Sequence, residues 1–257
     1  MQKFVLPLMA GLLGLPFFSH TEGETALLAS LDAVLVKKPV ALHSSLIPGF
    51  YGVLFPGDQY ADVFVDQAGT VLGGNVTGYL HLTGPNRGKP LTKVESEALF
   101  IQLLRALPRN KLITEKYGTG ARQIILLSAY DCPSCRQFEA TIEQHAQKLN
   151  ATIYLVPTSL DFEDDAMAPR NVTSLLCSKN PAKLWNAVML HHATIPPKNC
   201  SGTDPSAYAY LYKMFPSDVV SSVPTAITED GHVYTRVITS FSDVFRLKSD
   251  SPQQKHD

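Results

Sequence analysis

Cysteine, tryptophan and charge are all sparse in this chain of 257 residues. It has four cysteines and one tryptophan, and charged residues make up 18% of it. The net charge is −1 and lysine and arginine form no cluster, so nothing argues for a nucleic-acid-binding protein. Apolar residues make up 45%, which is ordinary for a globular protein, and the length is enough for two modest domains.

The one long apolar run lies at the N terminus. Lys3 is followed by an uncharged apolar run over residues 4–18, and small or polar residues come next. This order is typical of a secretory signal peptide, which we place at residues 1–21. Pro7 and Pro16 break the run, which is too short for a good membrane span, although a retained membrane anchor is the alternative.

No cysteine lies in the first half of the chain. The four are Cys132, Cys135, Cys177 and Cys200. An even number in an exported chain indicates an oxidising compartment and cysteine pairing. The first half also has no glycine-rich phosphate loop and no clustered acids, so we expect it to serve binding or assembly.

Short extended segments fill that first half after a helix predicted over residues 25–37. The segments 49–55, 61–69 and 70–82 are separated by glycine- and proline-containing turns, which predicts a small β-rich domain over residues 22–84.

A helix follows in a linker region placed at residues 85–110. Thr92 and Glu95 have the spacing of a capping box, which marks a helix start. The apolar residues then recur at helical spacing up to Pro108. They are Val94, Ala98, Ile101 and Leu104. The helix either links two domains or belongs to the core of one.

The second half, residues 111–248, reads as an α/β domain. Two short apolar runs, 122–130 and 151–160, have the character of strands buried on both faces. The amphipathic segment between them predicts a helix with Phe138 and Ile142 on its apolar side and Glu139 on its polar side. Strand, helix and strand form a βαβ unit with Cys132-x-x-Cys135 at the first turn.

Helices and a hairpin complete this half. Asn180-Pro181 and Asp204-Pro205 each have the residues that start a helix. Asp230-Gly231 lies between two short extended runs within residues 221–238, which is a strong hairpin pattern. The tail, 249–257, is polar.

The pair Cys132 and Cys135 allows three interpretations. A zinc site needs four ligands, usually from two such pairs or from nearby histidines, and only one pair is present. A structural short-loop disulfide is possible. A redox role fits best, because a Cys-x-x-Cys between a buried strand and a helix in a βαβ unit is the thioredoxin-like arrangement.

The start of a helix favours thiol chemistry at Cys132. Its free N–H groups and about half a positive charge stabilise a thiolate there. We expect the Cys132 side chain to be exposed at this end, with Arg136 adding to the stabilisation and Asp131 opposing it.

Val223-Pro224 directly precedes the predicted hairpin. Thioredoxin-like folds place a cis-proline loop there, opposite the cysteine pair, where the backbone next to the proline pairs with a bound peptide. We therefore predict a cis bond between Val223 and Pro224.

Taken together, the chain resembles the DsbC/DsbG family of periplasmic thiol-disulfide isomerases. The matching segments are "YDCPSCRQFE", the helical insertion, "SSVPTAITEDGHVY" and, more weakly, "ADVFVDQAGTVLGGNVTGYL". The resemblance implies a thioredoxin-like domain with a helical insertion, a small α+β (cystatin-like) dimerisation domain before it, and a linker helix between the two.

The resemblance also implies residue roles. Cys132 would be the attacking nucleophile and Cys135 the resolving cysteine, with Val223 and Pro224 lining a peptide groove and Cys177–Cys200 forming a structural disulfide. It further implies a periplasmic homodimer that acts on misdisulfided proteins, takes electrons from a membrane thiol reductase of the DsbD type, and needs no metal or other cofactor.

Two positions depart from the isomerase pattern. The dipeptide Pro133-Ser134 lacks the aromatic residue that usually precedes the second cysteine, and Val223 stands where isomerases commonly have threonine. These positions tune redox potential, so a thiol oxidase is the first alternative. A holdase or assembly chaperone with secondary redox activity is the second.

Overall fold

A computed structural model describes residues 22–58, 61–74, 78–160, 167–198, 211–235 and 237–247 of the chain. The predicted signal peptide, the polar tail, the helix start at Asp204-Pro205 and Cys200 lie outside the described residues. No helix among the described residues is long and apolar enough to cross a membrane.

The described residues form helices and short strands. The helices are α1 (Glu22–Val34), α2 (Lys93–Ala106), α3 (Pro133–His145), α4 (Ala168–Leu176), α5 (Pro181–His191) and α6 (Phe241–Phe245). The strands are β1 (Ala41–Ser44), β2 (Phe50–Leu54), β3 (Val63–Asp66), β4 (Val71–Gly74), β5 (Gly78–His81), β6 (Ile113–Lys116), β7 (Arg122–Ala129), β8 (Ala151–Thr158), β9 (Thr225–Thr228) and β10 (Val233–Tyr234). Short 3-10 helices are η1 (Arg109–Lys111), η2 (Ala146–Lys148) and η3 (Leu211–Met214).

The first sheet is an antiparallel meander in the order β1-β2-β3-β4-β5. Helix α1 covers one face through Leu27 and Leu31, which pack with apolar residues from the strands, among them Val53 and Val65. The short extended segments predicted from the turns therefore form one antiparallel sheet with a helix on one face.

The second sheet has the order β10-β9-β7-β8-β6. Strands β7 and β8 are parallel, with Ile124 opposite Ile153, and α3 connects them, which confirms the predicted βαβ unit. Strand β9 pairs antiparallel with β7, and β6 pairs antiparallel with β8. A mixed sheet with this order and this crossover is the thioredoxin-like fold.

Helices α4 and α5 form the insertion between β8 and β9. Asn180 caps α5 by accepting a hydrogen bond from the Lys183 amide at 3.1 Å, as the sequence predicts. The hairpin between β9 and β10 also forms where predicted, and Gly231 has a φ of 83° in its turn.

Helix α2 begins with the predicted capping box, because Thr92 and Glu95 exchange hydrogen bonds. The predicted apolar stripe is only partly right, since Leu104 is buried but Val94 is 75% exposed and Ile101 is 40% exposed. The residues that face inward are Ser96, Leu99, Phe100, Leu103 and Leu104. The larger set of Leu99, Phe100 and Leu103 decides the orientation, because burying it removes more apolar surface from water.

The buried face of α2 lies in a core that both sheets share. One apolar cluster contains Phe50 and Phe64 from the first sheet together with Ile125 and Ile227 from the second, and α2 packs among them. The helix is thus part of a continuous core rather than a free-standing connection. The other face of the second sheet packs against α3, α5 and α6.

Candidate active site

The Cys-x-x-Cys motif lies where β7 ends and α3 begins. Cys132 is the N-cap residue of α3, with φ −88° and ψ 120°, and Pro133 occupies the first turn. An N-cap side chain accepts a hydrogen bond from the first turn of its helix. Here the Cys132 Sγ atom takes that place, accepting a hydrogen bond from the Cys135 amide at 3.2 Å.

A second polar contact reaches the Cys132 sulfur. The Ser134 Oγ lies 3.1 Å from the Cys132 Sγ. When Cys132 is a thiolate, the hydroxyl is the donor, because a thiolate has no proton to give. The site thus offers a backbone amide and a hydroxyl to the negative charge. The Pro133-Ser134 dipeptide was expected from the sequence to tune the redox potential, but the direct hydroxyl contact was not predictable, because it depends on the rotamer of Ser134.

Cys135 is in a different environment. It is fully buried, and its Sγ accepts a hydrogen bond from the Ala129 amide at 3.4 Å. Burial raises the pKa of the Cys135 thiol, and the hydrogen bond with Cys132 raises it further. Both thiols are free. The Cys135 thiol is therefore held protonated.

The expectation that the Cys132 side chain is exposed is wrong. Cys132 is only 3% exposed, and it belongs to the same apolar cluster as Cys135. Tyr130 and Val223 also pack against this cluster. The sequence identifies the helix start, but it does not show how closely the neighbouring loops cover it.

The charged neighbours are both engaged elsewhere. The Asp131 carboxylate accepts hydrogen bonds from the Ser159 hydroxyl and from the Leu160 amide, the latter at 2.9 Å, so it fastens the loop after β8. The Arg136 Nη2 donates to the Tyr130 carbonyl at 3.0 Å. Neither side chain has a described hydrogen bond to the Cys132 sulfur.

The peptide bond between Val223 and Pro224 is cis, as predicted. Thr225, the next residue, pairs with Leu127 near the end of β7. The proline loop thus lies at the same edge of the sheet as Cys132, and Val223 packs against the cluster that holds both cysteines.

The remaining cysteines are only partly described. Cys177, at the end of α4, is disulfide-bonded. Cys200, its predicted partner, lies outside the described residues. Among the residues that are described, no group of three or more His, Cys, Asp or Glu side chains is arranged to hold a metal ion.

The prediction that Glu139 lies on the polar side of α3 is wrong, because this carboxyl group is buried one turn after Cys135. Glu139 is 3% exposed, and its Oε1 accepts a hydrogen bond from the Trp185 Nε1 at 2.9 Å. Burial, and then the nearby Glu115, raise the pKa of Glu139 to about 8. A signal was present, since Cys135, Phe138, Glu139 and Ile142 share one helical face by their spacing.

We expect Glu139→Gln to change how stability depends on pH. The folded-state pKa of Glu139 is raised to about 8 from 4.5. Its contribution to stability is therefore complete below about pH 4.5 and is lost as the pH rises towards 8. Glutamine keeps the acceptor for Trp185 and does not ionise, so the decline in unfolding free energy between pH 5 and pH 9 becomes smaller.

Urea unfolding at several pH values, followed through the single tryptophan, measures this effect. Glu115, on β6, and Tyr117, the residue after β6, face the same group, and Glu143 on α3 acts on both of them. Because the pKa of Glu115 is also raised, some decline remains in the variant. Equal slopes of stability against pH in wild type and Glu139→Gln would contradict the assignment. Glu97→Gln, on the exposed side of α2, is the matched control.

We also expect Ser134→Ala to slow the reaction of Cys132 with a thiol-labelling reagent at neutral pH. The change removes one of two donors to the thiolate, and a hydrogen bond to a charged group is worth about 1.5–3 kcal/mol, so the slowing should be at least roughly tenfold. Ser134→Thr keeps the hydroxyl and should react at close to the wild-type rate. Equal rates for alanine and serine at this position would show that the contact carries no stabilisation.

The strand order, the Cys-x-x-Cys at the N terminus of α3 and the cis-proline loop define a thioredoxin-like protein with a dithiol site. No family model and no curated protein matches the sequence. Solved structures to which the chain is similar include a disulfide interchange protein, ScsC and DsbG. This fold assignment rests on the strand order and the site.

Three of these structures show the range of similarity. A disulfide interchange protein from Neisseria gonorrhoeae is 18% identical, with a TM-score of 0.41, over 55% of this chain and 100% of its own. The catalytic domain of Proteus mirabilis ScsC is 12% identical, with a TM-score of 0.41, over 59% and 96%. Helicobacter pylori DsbG is 10% identical, with a TM-score of 0.38, over 79% and 98%.

Proposed function

We propose that the chain is an exported thiol-disulfide isomerase or reductase of the DsbC/DsbG type, which acts on misdisulfided proteins. The inequality of the two thiols carries this proposal. Both sulfurs are buried, but Cys132 has two hydrogen-bond donors for its thiolate, whereas burial raises the pKa of the Cys135 thiol. Cys132 is thus suited to attack the substrate, and Cys135 is suited to react only afterwards.

The first step is attack by Cys132. Its thiolate displaces one sulfur of a substrate disulfide, which forms a Cys132–substrate disulfide and releases a substrate thiolate. The Cys135 amide and the Ser134 hydroxyl hold the Cys132 sulfur at the N terminus of α3 before attack. The backbone of Val223, beside Pro224, is suited to align the substrate chain by strand-like pairing.

The mixed disulfide has two fates. In isomerisation, another substrate thiolate attacks it, a new substrate disulfide forms, and Cys132 returns as a thiolate with no net change in oxidation state. In reduction, Cys135 loses its proton and attacks the Cys132 sulfur, which releases the substrate dithiol and leaves a Cys132–Cys135 disulfide. Because burial raises the pKa of Cys135, the second path is slowed and the substrate has time to rearrange.

The surrounding assignments belong to the same proposal. Reduction of the Cys132–Cys135 disulfide needs two electrons, for which a membrane thiol reductase of the DsbD type is the proposed donor. Residues 1–21 are proposed as the signal peptide for export to the periplasm, Cys177–Cys200 as a structural disulfide, and the first domain as the dimerisation unit.

A refolding assay tests the proposal. Reduced protein is mixed with a denatured protein whose several disulfides have been scrambled, and recovery of that protein's activity is followed. We expect wild type to speed recovery and the Cys132→Ser/Cys135→Ala variant to leave it at the background rate. Equal recovery with both would contradict a redox role. Suppressed aggregation by the double variant would point to the chaperone alternative.

A thiol oxidase remains the second candidate, because Pro133-Ser134 and Val223 depart from the isomerase pattern. It would use the same residues from the opposite resting state, with the Cys132–Cys135 disulfide passed to a reduced substrate. Oxidation of a reduced substrate by the oxidised chain, without recovery of a scrambled one, would favour this candidate.

A further inference from the structure

The segment that leads into the cis-proline loop contacts the first sheet. We call that sheet, β1 to β5, together with α1 the first domain. Helix η3 lies against β3 and β4 of the first sheet, and Phe215, which follows it, is buried in the core that both sheets share. Pro224 follows in the same stretch of chain. The part of the site that faces a substrate backbone is therefore continuous with a contact between the two domains.

Two polar bonds fix that contact. The Tyr79 Oη, on β5, donates to the Met214 carbonyl at 2.8 Å, and Tyr79 is only 3% exposed. Burial raises the pKa of Tyr79, so its hydroxyl stays a neutral donor. The Lys213 Nζ lies 2.5 Å from the Asp62 Oδ1, although Lys213 is only 7% exposed. A lysine this deeply buried needs a partner, which makes the position of Asp62 specific.

Close backbone approach is built into the same contact. A Cβ atom on Gly74 would lie 2.6 Å from the Asp62 carbonyl oxygen and 3.1 Å from the Lys213 carbonyl oxygen. Only glycine lets β4 come this near to η3 without displacing either backbone. The aromatic rings of Phe100, on α2, and Phe215 meet edge to face at 5.8 Å between centroids.

The chain between this contact and the proline loop is stiff. Phe215 and Val220 are fully buried, and the amides of Val219 and Val220 both donate to the Pro216 carbonyl, at 3.0 and 2.9 Å. The Thr225 hydroxyl then donates to the Ser222 carbonyl at 2.6 Å. A shift at Met214 therefore has few ways to be absorbed before it reaches Val223 and Pro224.

We propose that Asp62 and Tyr79 of the first domain are positioning residues for the cis-proline loop, which contains Val223 and Pro224. They act through Lys213 and Met214, and they touch neither substrate nor sulfur. We call the contacts between Asp62 and Lys213 and between Tyr79 and Met214 the η3 contact. The first domain thus sets substrate affinity in addition to any role in assembly. This inference rests on the proposed function of Val223 and Pro224.

Kinetics separate positioning from mere structural support. We expect Tyr79→Phe and Asp62→Asn each to raise the KM for a peptide disulfide about fivefold, the factor that one ordinary hydrogen bond is worth. The value of kcat and the rate of reaction with a small disulfide, which needs no peptide groove, should stay within twofold. Tyr51→Phe, on β2 and packed towards α1, is the matched control and should change neither.

Hydrogen exchange tests the same contact without any activity. In Tyr79→Phe, the Val219 and Val220 amides should exchange at least about fivefold faster than in wild type or Tyr51→Phe. Unchanged exchange would overturn the inference, and so would an unchanged KM alongside a lower melting temperature. If wild type has no thiol-disulfide exchange activity at all, the proposed function fails. The hydrogen-exchange rates of Val219 and Val220 still decide whether the η3 contact holds the cis-proline loop.

Discussion

Replacing Cys132 by serine should abolish thiol-disulfide exchange. The thiolate is the attacking species, and a serine hydroxyl is not ionised near neutral pH. Serine is close to cysteine in size, can still accept the Cys135 amide hydrogen bond, and keeps a capping side chain on α3. Folding should therefore be preserved while chemistry is lost.

Reduction of a disulfide-containing substrate, measured for wild type and Cys132→Ser at equal concentration, checks this result. We expect the variant to match the rate without protein. Unfolding in urea should be close to that of wild type, which shows that the loss is chemical. Substantial reduction by Cys132→Ser would mean that Cys135 attacks substrates by itself, and the assigned roles would then be reversed or wrong.

Replacing Cys135 by alanine should trap the mixed disulfide between Cys132 and the substrate, because the thiol that resolves it is removed. Cys132 still forms a disulfide with the substrate, and no second thiol is present to release it by reduction. We expect covalent complexes to accumulate to nearly one substrate per chain. Net reduction should be lost, whereas isomerisation, which does not need Cys135, should persist in part.

Non-reducing gel electrophoresis after acid quenching measures these complexes, and mass spectrometry identifies the joined cysteine. Every complex should contain Cys132 and should disappear on reduction. The Cys132→Ser/Cys135→Ala variant is the control and should form none. Absence of complexes with Cys135→Ala would contradict the assignment of Cys135 as the resolving residue.

The patterns that determine local structure were predictable from the sequence. The βαβ unit, the capping box at Thr92, the cap at Asn180 and the turn at Gly231 all follow from short-range chemistry, and all are present. The position of the cysteine pair at the N terminus of α3 followed from the same patterns. These features depend on a few neighbouring residues, which a sequence shows directly.

What the sequence did not show depends on tertiary packing. Strand β6 was missed because Glu115 occupies one of its buried positions, so the alternation of apolar and polar residues is hidden. Glu139 was placed on the polar side of α3 because a carboxylate is seldom buried without a partner, and its partner Trp185 comes from α5. The burial of Cys132 and the η3 contact likewise arise between distant segments.

The central claim is that Cys132 and Cys135 work as a reduced pair that attacks substrate disulfides. The resting redox state of the pair in the cell tests it most directly. Cells are quenched with acid, free thiols are labelled with a mass-shifting reagent, and the chain is compared with the Cys132→Ser/Cys135→Ala variant. We predict that both thiols are found reduced. A pair found oxidised would contradict the isomerase proposal and identify a disulfide donor.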